Sequence, residues 1–251
     1  MPARPFLVVA HRGSSADAPE NTFSAFDAAI KEGADAIEFD VRLTKDNVAV
    51  LSHDASLQRT AGKEVLIRDL SLEELKKVDV GSYKSGRFKS ARVPTLTEVV
   101  QNYLPKLRIE IELKESGTEL PTVQLLQQAN DLGVFNQVLV TSFERKFLVS
   151  VRMLDSRVQF GYLLEPSSQD TLAEVKHLGA TWVIPFWEEI NKTYVDDAHQ
   201  LGLQVRAWGV KTLDAAKRVI AAGADGLTYD RPTEVIAYLK ESGIRTNGHS
   251  A

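Results

Sequence analysis

Acidic side chains alternate with apolar ones in two short segments of the chain. Glu38 and Asp40 are two residues apart, and Glu112 and Lys114 repeat that spacing. On an extended strand, residues two apart project from the same face. Carboxylates crowded on an interior face lose solvation and repel one another, so either some are protonated or a cation neutralises them. All-oxygen ligands favour a hard ion, Mg²⁺ or Ca²⁺, over zinc.

Two histidines could carry protons beside such a site. His11 is followed by Arg12, and His53 is followed by Asp54. The unperturbed histidine pKa of about 6.5 lets one imidazole accept a proton while another donates one at neutral pH. These residue types indicate acid–base chemistry beside a bound cation, provided that the fold brings them together.

Eight segments rich in β-forming residues alternate with amphipathic helical patterns along nearly the whole chain. The predicted strands are Phe6–Ala10, Ala36–Leu43, Arg108–Leu113, Val138–Ser142, Val158–Leu163, Thr181–Pro185, Gln204–Trp208 and Gly226–Tyr229. Gly33 and Gly179 stand where a helix should end and a strand begin, as in left-handed C-terminal caps. The pattern predicts an α/β fold, a (β/α)8 TIM barrel, with a doubly wound open sheet as the alternative.

The chain length fits one barrel. With 251 residues, of which 43% are hydrophobic, we expect a single domain over residues 1–251. Residues 56–93, approximately, contain no buried parallel strand and are predicted to form a small insertion between strand two and strand three. The run Val48–Ser52 is expected to fold back from strand two and to carry His53. Catalytic groups of such barrels come from the C-terminal ends of strands, where the polar residues above and Trp208 lie.

Composition limits the partners. The formal net charge is −4, from 30 basic and 34 acidic residues, so no nucleic-acid partner is expected. No stretch reaches the roughly 18 apolar residues of a spanning helix, and Phe6–Ala10 is too short for a signal-peptide core. We therefore expect no membrane anchor and a cytoplasmic protein, present as a monomer or a homodimer. The lack of cysteine excludes disulfides and thiolate metal sites.

Further short motifs accompany these polar residues. The motifs include His11-Arg12-Gly13, Pro19-Glu20-Asn21-Thr22, the run from Gly33 to Val41, His53-Asp54, Arg59-Thr60, Pro94-Thr95-Leu96, Glu112-Leu113-Lys114, Ser142-Phe143 and Asp230-Arg231-Pro232. With them, the chain resembles the glycerophosphodiester phosphodiesterases, which share a superfamily with phosphatidylinositol-specific phospholipase C. The resemblance runs from the first predicted strand to the last.

The resemblance implies a barrel with a small insertion after the second histidine. It also implies roles for five residues: His11 and His53 form the acid–base pair, and Glu38, Asp40 and Glu112 bind one divalent cation, Mg²⁺ or Ca²⁺. From their charge, we expect Arg12 and Lys114 to contact the phosphate of the substrate. From its place at a strand end, we expect Trp208 to contact the substrate as well. The implied reaction hydrolyses a small-molecule glycerophosphodiester to sn-glycerol 3-phosphate and an alcohol. Attack by a glycerol hydroxyl through a cyclic phosphate and direct attack by water both stay open.

Two other functions stay open as well: a phospholipase-D-like activity on lysophospholipids, and a non-catalytic barrel that binds a phosphate ligand. The segment from Trp208 to Lys211 contains glycine and lysine where the resembled family usually has threonine and asparagine, which concerns substrate preference. Asn21 could cap the first helix and also line the pocket, and capping is the role that we favour. Glu110 faces the same way as Glu112 one step deeper, and we interpret it as a buried structural partner rather than a ligand.

Overall fold

Eight parallel strands close into a barrel. The computed structural model describes residues 5–104, 106–129 and 134–244. Its strands are β1 Leu7–His11, β2 Ala36–Leu43, β3 Ala49–Leu51, β4 Arg108–Leu113, β5 Val138–Ser142, β6 Gln159–Leu163, β7 Trp182–Ile184, β8 Gln204–Ala207 and β9 Gly226–Tyr229. β1 pairs in parallel with both β2 and β9, while β3 pairs antiparallel with β2. The predicted TIM barrel is confirmed, and the open sheet is excluded.

Helices cover the outside of the barrel. They are α1 Phe23–Glu32, α4 Leu96–Tyr103, α5 Glu119–Gln128, α6 Arg145–Leu154, α7 Leu172–Leu178, α8 Lys192–Gln200, α9 Leu213–Ala221 and α10 Pro232–Glu241. The two short helices α2 Gln58–Ala61 and α3 Leu72–Leu75 belong to the segment between β3 and α4. Local sequence fixes the ends of the outer helices: the Thr95 side chain and the Glu98 carboxylate form a capping box at the start of α4. Gly33 ends α1 with a φ of 82°, a left-handed conformation that costs glycine little.

Side chains alternate between the two faces of the barrel wall. Along β2, Ile37 and Phe39 belong to the large apolar core between strands and helices, so Glu38 and Asp40 point into the barrel. A smaller apolar cluster occupies part of the barrel interior and contains Leu7, Val9, Ala36, Leu139, Leu163, Trp182 and Ile184. The interior of the barrel therefore contains both this small apolar cluster and polar side chains.

The segment between β3 and α4 has an apolar core of its own. Its buried members are Leu57, Ile67, Leu75, Val78, Val80 and Val93, which pack with Val50 of β3. Two basic residues of this segment attach it to the loop after β1: Lys84 donates to the Ser15 carbonyl at 2.6 Å, and Arg87 donates to the Asp17 carbonyl at 3.1 Å. The segment thus packs beside the C-terminal end of β1.

Candidate active site

Three carboxylates meet at the C-terminal ends of β2 and β4. The parallel register pairs Asp40 with Glu112, and Glu38 lies one side-chain step deeper on the same face of β2. Each of the three offers an oxygen, and these oxygens all lie within 4.8 Å of one another. The residues predicted as metal ligands are therefore brought together by the fold.

The electrostatics of this cluster fit a cation. Glu38 Oε1 and Asp40 Oδ1 are buried without a hydrogen-bond partner. Burial and the charges of Asp40 and Glu112 raise the pKa of Glu38 well above its ordinary value, and burial and the Asp40 charge raise the pKa of Glu112. Burial alone would raise the Asp40 pKa too, but the charges of Arg12 and Lys114 lower it. A bound cation would coordinate the unpartnered carboxylate oxygens and reduce the repulsion between the three carboxylates.

Arg12 is fixed on the cluster by both its backbone and its side chain. Its backbone N–H donates to Glu38 Oε2 at 3.0 Å, and its Nε lies 3.2 Å from Asp40 Oδ2. Its Nη1 donates to Glu20 Oε1 at 3.0 Å. The backbone adopts a left-handed φ of 56°, uncommon for a residue with a side chain, and such strain concentrates at functional sites.

Lys114 supplies the second cation at the cluster. Its Nζ lies 2.7 Å from Glu112 Oε1 and 3.6 Å from Asp40 Oδ1. With Arg12, it offsets two of the three carboxylate charges, so the five ionic groups sum formally to −3 + 2 = −1. The cluster still favours one more positive ion.

His11 is paired with a carboxylate from the opposite end of the chain. Its Nδ1 lies 2.6 Å from Asp230 Oδ1, and Lys211 Nζ donates to the other oxygen of Asp230 at 2.9 Å. Burial lowers the His11 pKa; the Asp230 hydrogen bond opposes this, and the Arg12 charge adds to it. The neutral imidazole is therefore favoured, with Nε2 as the ring nitrogen that Asp230 does not engage.

His53 has the same arrangement with its neighbour in sequence. Its Nδ1 lies 2.7 Å from Asp54 Oδ1, and Arg59 Nε donates to Asp54 Oδ2 at 2.7 Å. Burial lowers the His53 pKa as well. Against the effect of burial, hydrogen bonds from Arg59 and His53 lower the Asp54 pKa to about 2. Each histidine therefore has an ionised aspartate at Nδ1.

A cavity of about 230 Å³ opens beside the carboxylates. Seven of the eight predicted site residues line it, namely His11, His53, Arg12, Lys114, Trp208, Glu38 and Glu112. The eighth, Asp40, is 1% exposed. Trp208 is held by a hydrogen bond from Nε1 to the Leu164 carbonyl at 2.9 Å and by edge contact with Phe143 at a centroid distance of 5.0 Å.

The expected capping role of Asn21 was wrong. Thr22 caps α1, since its side chain accepts a hydrogen bond from the Ala25 N–H. Asn21 instead adopts a φ of 55° and donates from Nδ2 to Asp40 Oδ2 at 2.9 Å. Because both residue types favour N-caps, the local pattern does not separate them.

Several partners of the site were not predicted from the sequence. Arg206 of β8 lies 2.7 Å from Glu110, and both side chains are buried, which fits the structural role expected for Glu110. Three further hydrogen bonds support the site: His11 with Asp230, Asp54 with Arg59, and Arg12 with Glu20. The available signals were the adjacency of Asp54 to His53 and the position of Asp230 after the last strand.

Comparison with known proteins identifies the family. A model of the glycerophosphoryl diester phosphodiesterase family matches residues 11–234. The chain belongs to this family. A glycerophosphodiester phosphodiesterase of Caldanaerobacter subterraneus subsp. tengcongensis is 32% identical over 240 residues, which cover 94% of this chain and 99% of that protein. Membership makes the chain a phosphoric diester hydrolase rather than a non-catalytic barrel.

Solved structures of glycerophosphodiester phosphodiesterases share the architecture. A phosphodiesterase of Oleispira antarctica, solved with its product sn-glycerol-3-phosphate, is 28% identical with a TM-score of 0.82, covering 94% of this chain and 97% of that one. The Thermotoga maritima glycerophosphodiester phosphodiesterase is 26% identical with a TM-score of 0.75, covering 94% and 98%. In the part of this family member that the structure describes, no helix has the length and apolarity needed to cross a membrane.

Proposed function

We propose that this chain hydrolyses glycerophosphodiesters to sn-glycerol 3-phosphate and an alcohol, with one divalent cation, Mg²⁺ or Ca²⁺, bound by Glu38, Asp40 and Glu112. The observation that carries the proposal is the carboxylate cluster, whose oxygens lie within 4.8 Å of one another beside two histidine–aspartate pairs. The product bound to the Oleispira antarctica phosphodiesterase supports the substrate class. A hard cation at this cluster would polarise phosphate oxygens as a Lewis acid.

Side chains of the protein would bind the phosphate and transfer the protons. Arg12 and Lys114 contact the carboxylates and line the cavity, so their charges can also hold the phosphate oxygens. One histidine accepts a proton from the attacking group as the new P–O bond forms; that group is either water or a glycerol hydroxyl, and in the second case water then opens the cyclic phosphate. The other donates a proton to the alcohol oxygen as its bond to phosphorus breaks. The aspartates at Nδ1 would orient both rings with Nε2 toward the reacting groups.

The size of the cavity favours a deacylated substrate. At about 230 Å³ it lies below the roughly 300–1,000 Å³ typical of pockets for drug-sized ligands. A lysophospholipid would need additional volume for its acyl chain. Comparing turnover of glycerophosphocholine with that of lysophosphatidylcholine tests this preference, and faster cleavage of the acylated substrate would contradict it.

The central test is product release by the purified protein. We expect sn-glycerol 3-phosphate from glycerophosphocholine or glycerophosphoethanolamine in the presence of Mg²⁺ or Ca²⁺, and loss of activity when a chelator removes the ion. A homogeneous, metal-supplied sample that releases no glycerol 3-phosphate from either substrate contradicts the proposal.

The proposal includes a cytoplasmic enzyme that acts as a monomer or a homodimer. The sequence offers no long apolar segment, and its net charge of −4 gives no attraction to anionic membranes. Cell fractionation and light scattering of the purified protein test the two statements separately.

A further inference from the structure

Arg42 connects the strand that carries Asp40 to the main chain of His53. Arg42 lies two residues after Asp40 on β2, so the two side chains project from the same face of that strand. Its Nε and its Nη2 both donate to the His53 carbonyl oxygen, at 3.0 Å and 2.7 Å. The side chain is 13% exposed. A planar guanidinium that donates twice to one carbonyl restricts both the distance and the direction of that carbonyl.

Glu115 engages the third nitrogen of the same guanidinium. Its Oε2 accepts a hydrogen bond from Arg42 Nη1 at 2.9 Å, and its Oε1 accepts one from the Leu43 backbone N–H at 2.9 Å. Glu115 directly follows Lys114 after the end of β4, so the ion pair also joins the C-terminal ends of β2 and β4. Every nitrogen of the Arg42 guanidinium therefore has a partner in the described structure.

His53 lies just after β3, outside any helix or strand. β3 ends at Leu51, and the next backbone N–H, that of Ser52, donates to the Asp40 carbonyl at 3.0 Å. The hydrogen bonds from Arg42 to the His53 carbonyl are the following attachment along the chain. Both attachments lead to β2, so the main chain of His53 is held by the strand that carries a predicted metal ligand.

We propose that Arg42 and Glu115 are positioning residues that hold His53 at a fixed place beside the carboxylate cluster. This inference rests on the proposed function, in which His53 transfers a proton. Arg42 acts through the main chain of His53, and Glu115 acts through Arg42. A proton carrier must lie within hydrogen-bond reach of the group that it serves, and an error of about 1 Å in such a position can reduce the rate about a hundredfold.

Replacing Arg42 by methionine removes these hydrogen bonds and keeps an unbranched side chain. The matched control is Arg92→Met, since Arg92 Nη1 also donates to backbone carbonyls, those of Lys89 and Ala91 in the inserted segment. We expect Arg42→Met to lower kcat about 10- to 100-fold, while the affinity for Mg²⁺ or Ca²⁺ changes less than about twofold. Arg92→Met should change neither quantity. Steady-state kinetics and titration calorimetry measure them.

The same substitution in a His53→Ala background separates positioning from a general effect on the fold. If Arg42 acts through His53, Arg42→Met should change the residual turnover of His53→Ala less than about twofold. Glu115→Gln removes the ion pair and keeps an acceptor for the Leu43 N–H. It should lower kcat about 3- to 10-fold, and this loss should also disappear without His53. Thermal unfolding is measured for every variant.

Hydrogen exchange tests the attachment without turnover. The Ser52 N–H should exchange faster in Arg42→Met than in the wild type and in Arg92→Met, because local opening of the His53 segment exposes it. Unchanged exchange would overturn the proposal, as would an equal loss of turnover with and without His53, or a loss of metal affinity as large as the loss of kcat. A wild type that releases no product from any glycerophosphodiester would instead reject the proposed function.

Discussion

Arg59 and Asp54 are joined by a hydrogen bond of 2.7 Å, and the other oxygen of Asp54 lies 2.7 Å from Nδ1 of His53. The remaining guanidinium nitrogens of Arg59 donate to Glu20, which in turn accepts from Arg12. Arg59 of the inserted segment therefore binds the two carboxylates that contact His53 and Arg12. His53 is a predicted proton carrier, and Arg12 is predicted to bind the phosphate. The inserted segment therefore helps to position the residues of the candidate active site.

Replacing Arg59 by methionine should reduce kcat about tenfold or more and raise KM, because small displacements of reacting groups are costly. The side chain is 44% exposed, so the fold should persist. Arg157→Met is the matched control, since Arg157 is also an exposed arginine paired with an aspartate. Steady-state kinetics of both variants check this, and similar kinetics in the two would contradict a positioning role for Arg59.

Replacing Glu38 by glutamine should weaken binding of Mg²⁺ or Ca²⁺ at least about tenfold, because it removes a charged ligand. His53→Ala should leave metal binding unchanged while abolishing most turnover. Titration calorimetry separates the two effects. Equal loss of metal affinity in both variants would reverse the assigned roles.

Metal affinity should increase with pH. Burial and neighbouring charges raise the pKa of Glu38, so the metal-free protein retains a proton there at a pH where an ordinary glutamate has lost it. Metal binding expels this proton, and affinity should rise by up to about tenfold per pH unit until the pH exceeds that raised pKa. Calorimetry in buffers of different ionisation enthalpy measures the released proton. Affinity that is constant between about pH 5 and about pH 8 would contradict the interpretation.

Two substitutions beside His11 should shift its titration in opposite directions. The hydrogen bond to Asp230 raises the His11 pKa, whereas the Lys211 charge lowers it. The limb of the kcat/KM profile that reports the titration of His11 should therefore move to lower pH in Asp230→Asn and to higher pH in Lys211→Met. Asp230→Asn should also lose about a hundredfold or more in kcat, since the ring loses its orienting carboxylate. Shifts of the same sign would refute this account.

Arg206→Met should destabilise the fold by roughly 3–5 kcal/mol, because it leaves the Glu110 charge buried and unpaired. The double variant Glu110→Leu with Arg206→Met removes both charges and should recover most of that loss. Denaturant unfolding of the metal-free proteins measures the difference. A double variant as unstable as the single one would show that the ion pair is not the cause.

Local periodicity was sufficient to predict the strands and helices of the barrel, whereas the grouping of the three carboxylates as one ligand set came from the resemblance to the family. The sixth predicted strand, Thr181–Pro185, corresponds to β7 and differs from it only by one residue at each end. The two-residue repeat of a strand likewise determines from which face of β2 or β4 the side chains of Glu38, Asp40 and Glu112 project. Partners such as Asp230, 219 residues from His11, depend on barrel closure, which local patterns do not encode.

β1 is hydrogen-bonded to both β2 and β9, and the seam between the chain's first and last barrel strands runs through His11 and Asp230. A nascent polypeptide released up to β8 would contain all three carboxylates and both histidines, yet His11 would lack its orienting partner. The proposed proton carrier His11 therefore gains its carboxylate partner only when the last strand, β9, and the residue after it complete the barrel.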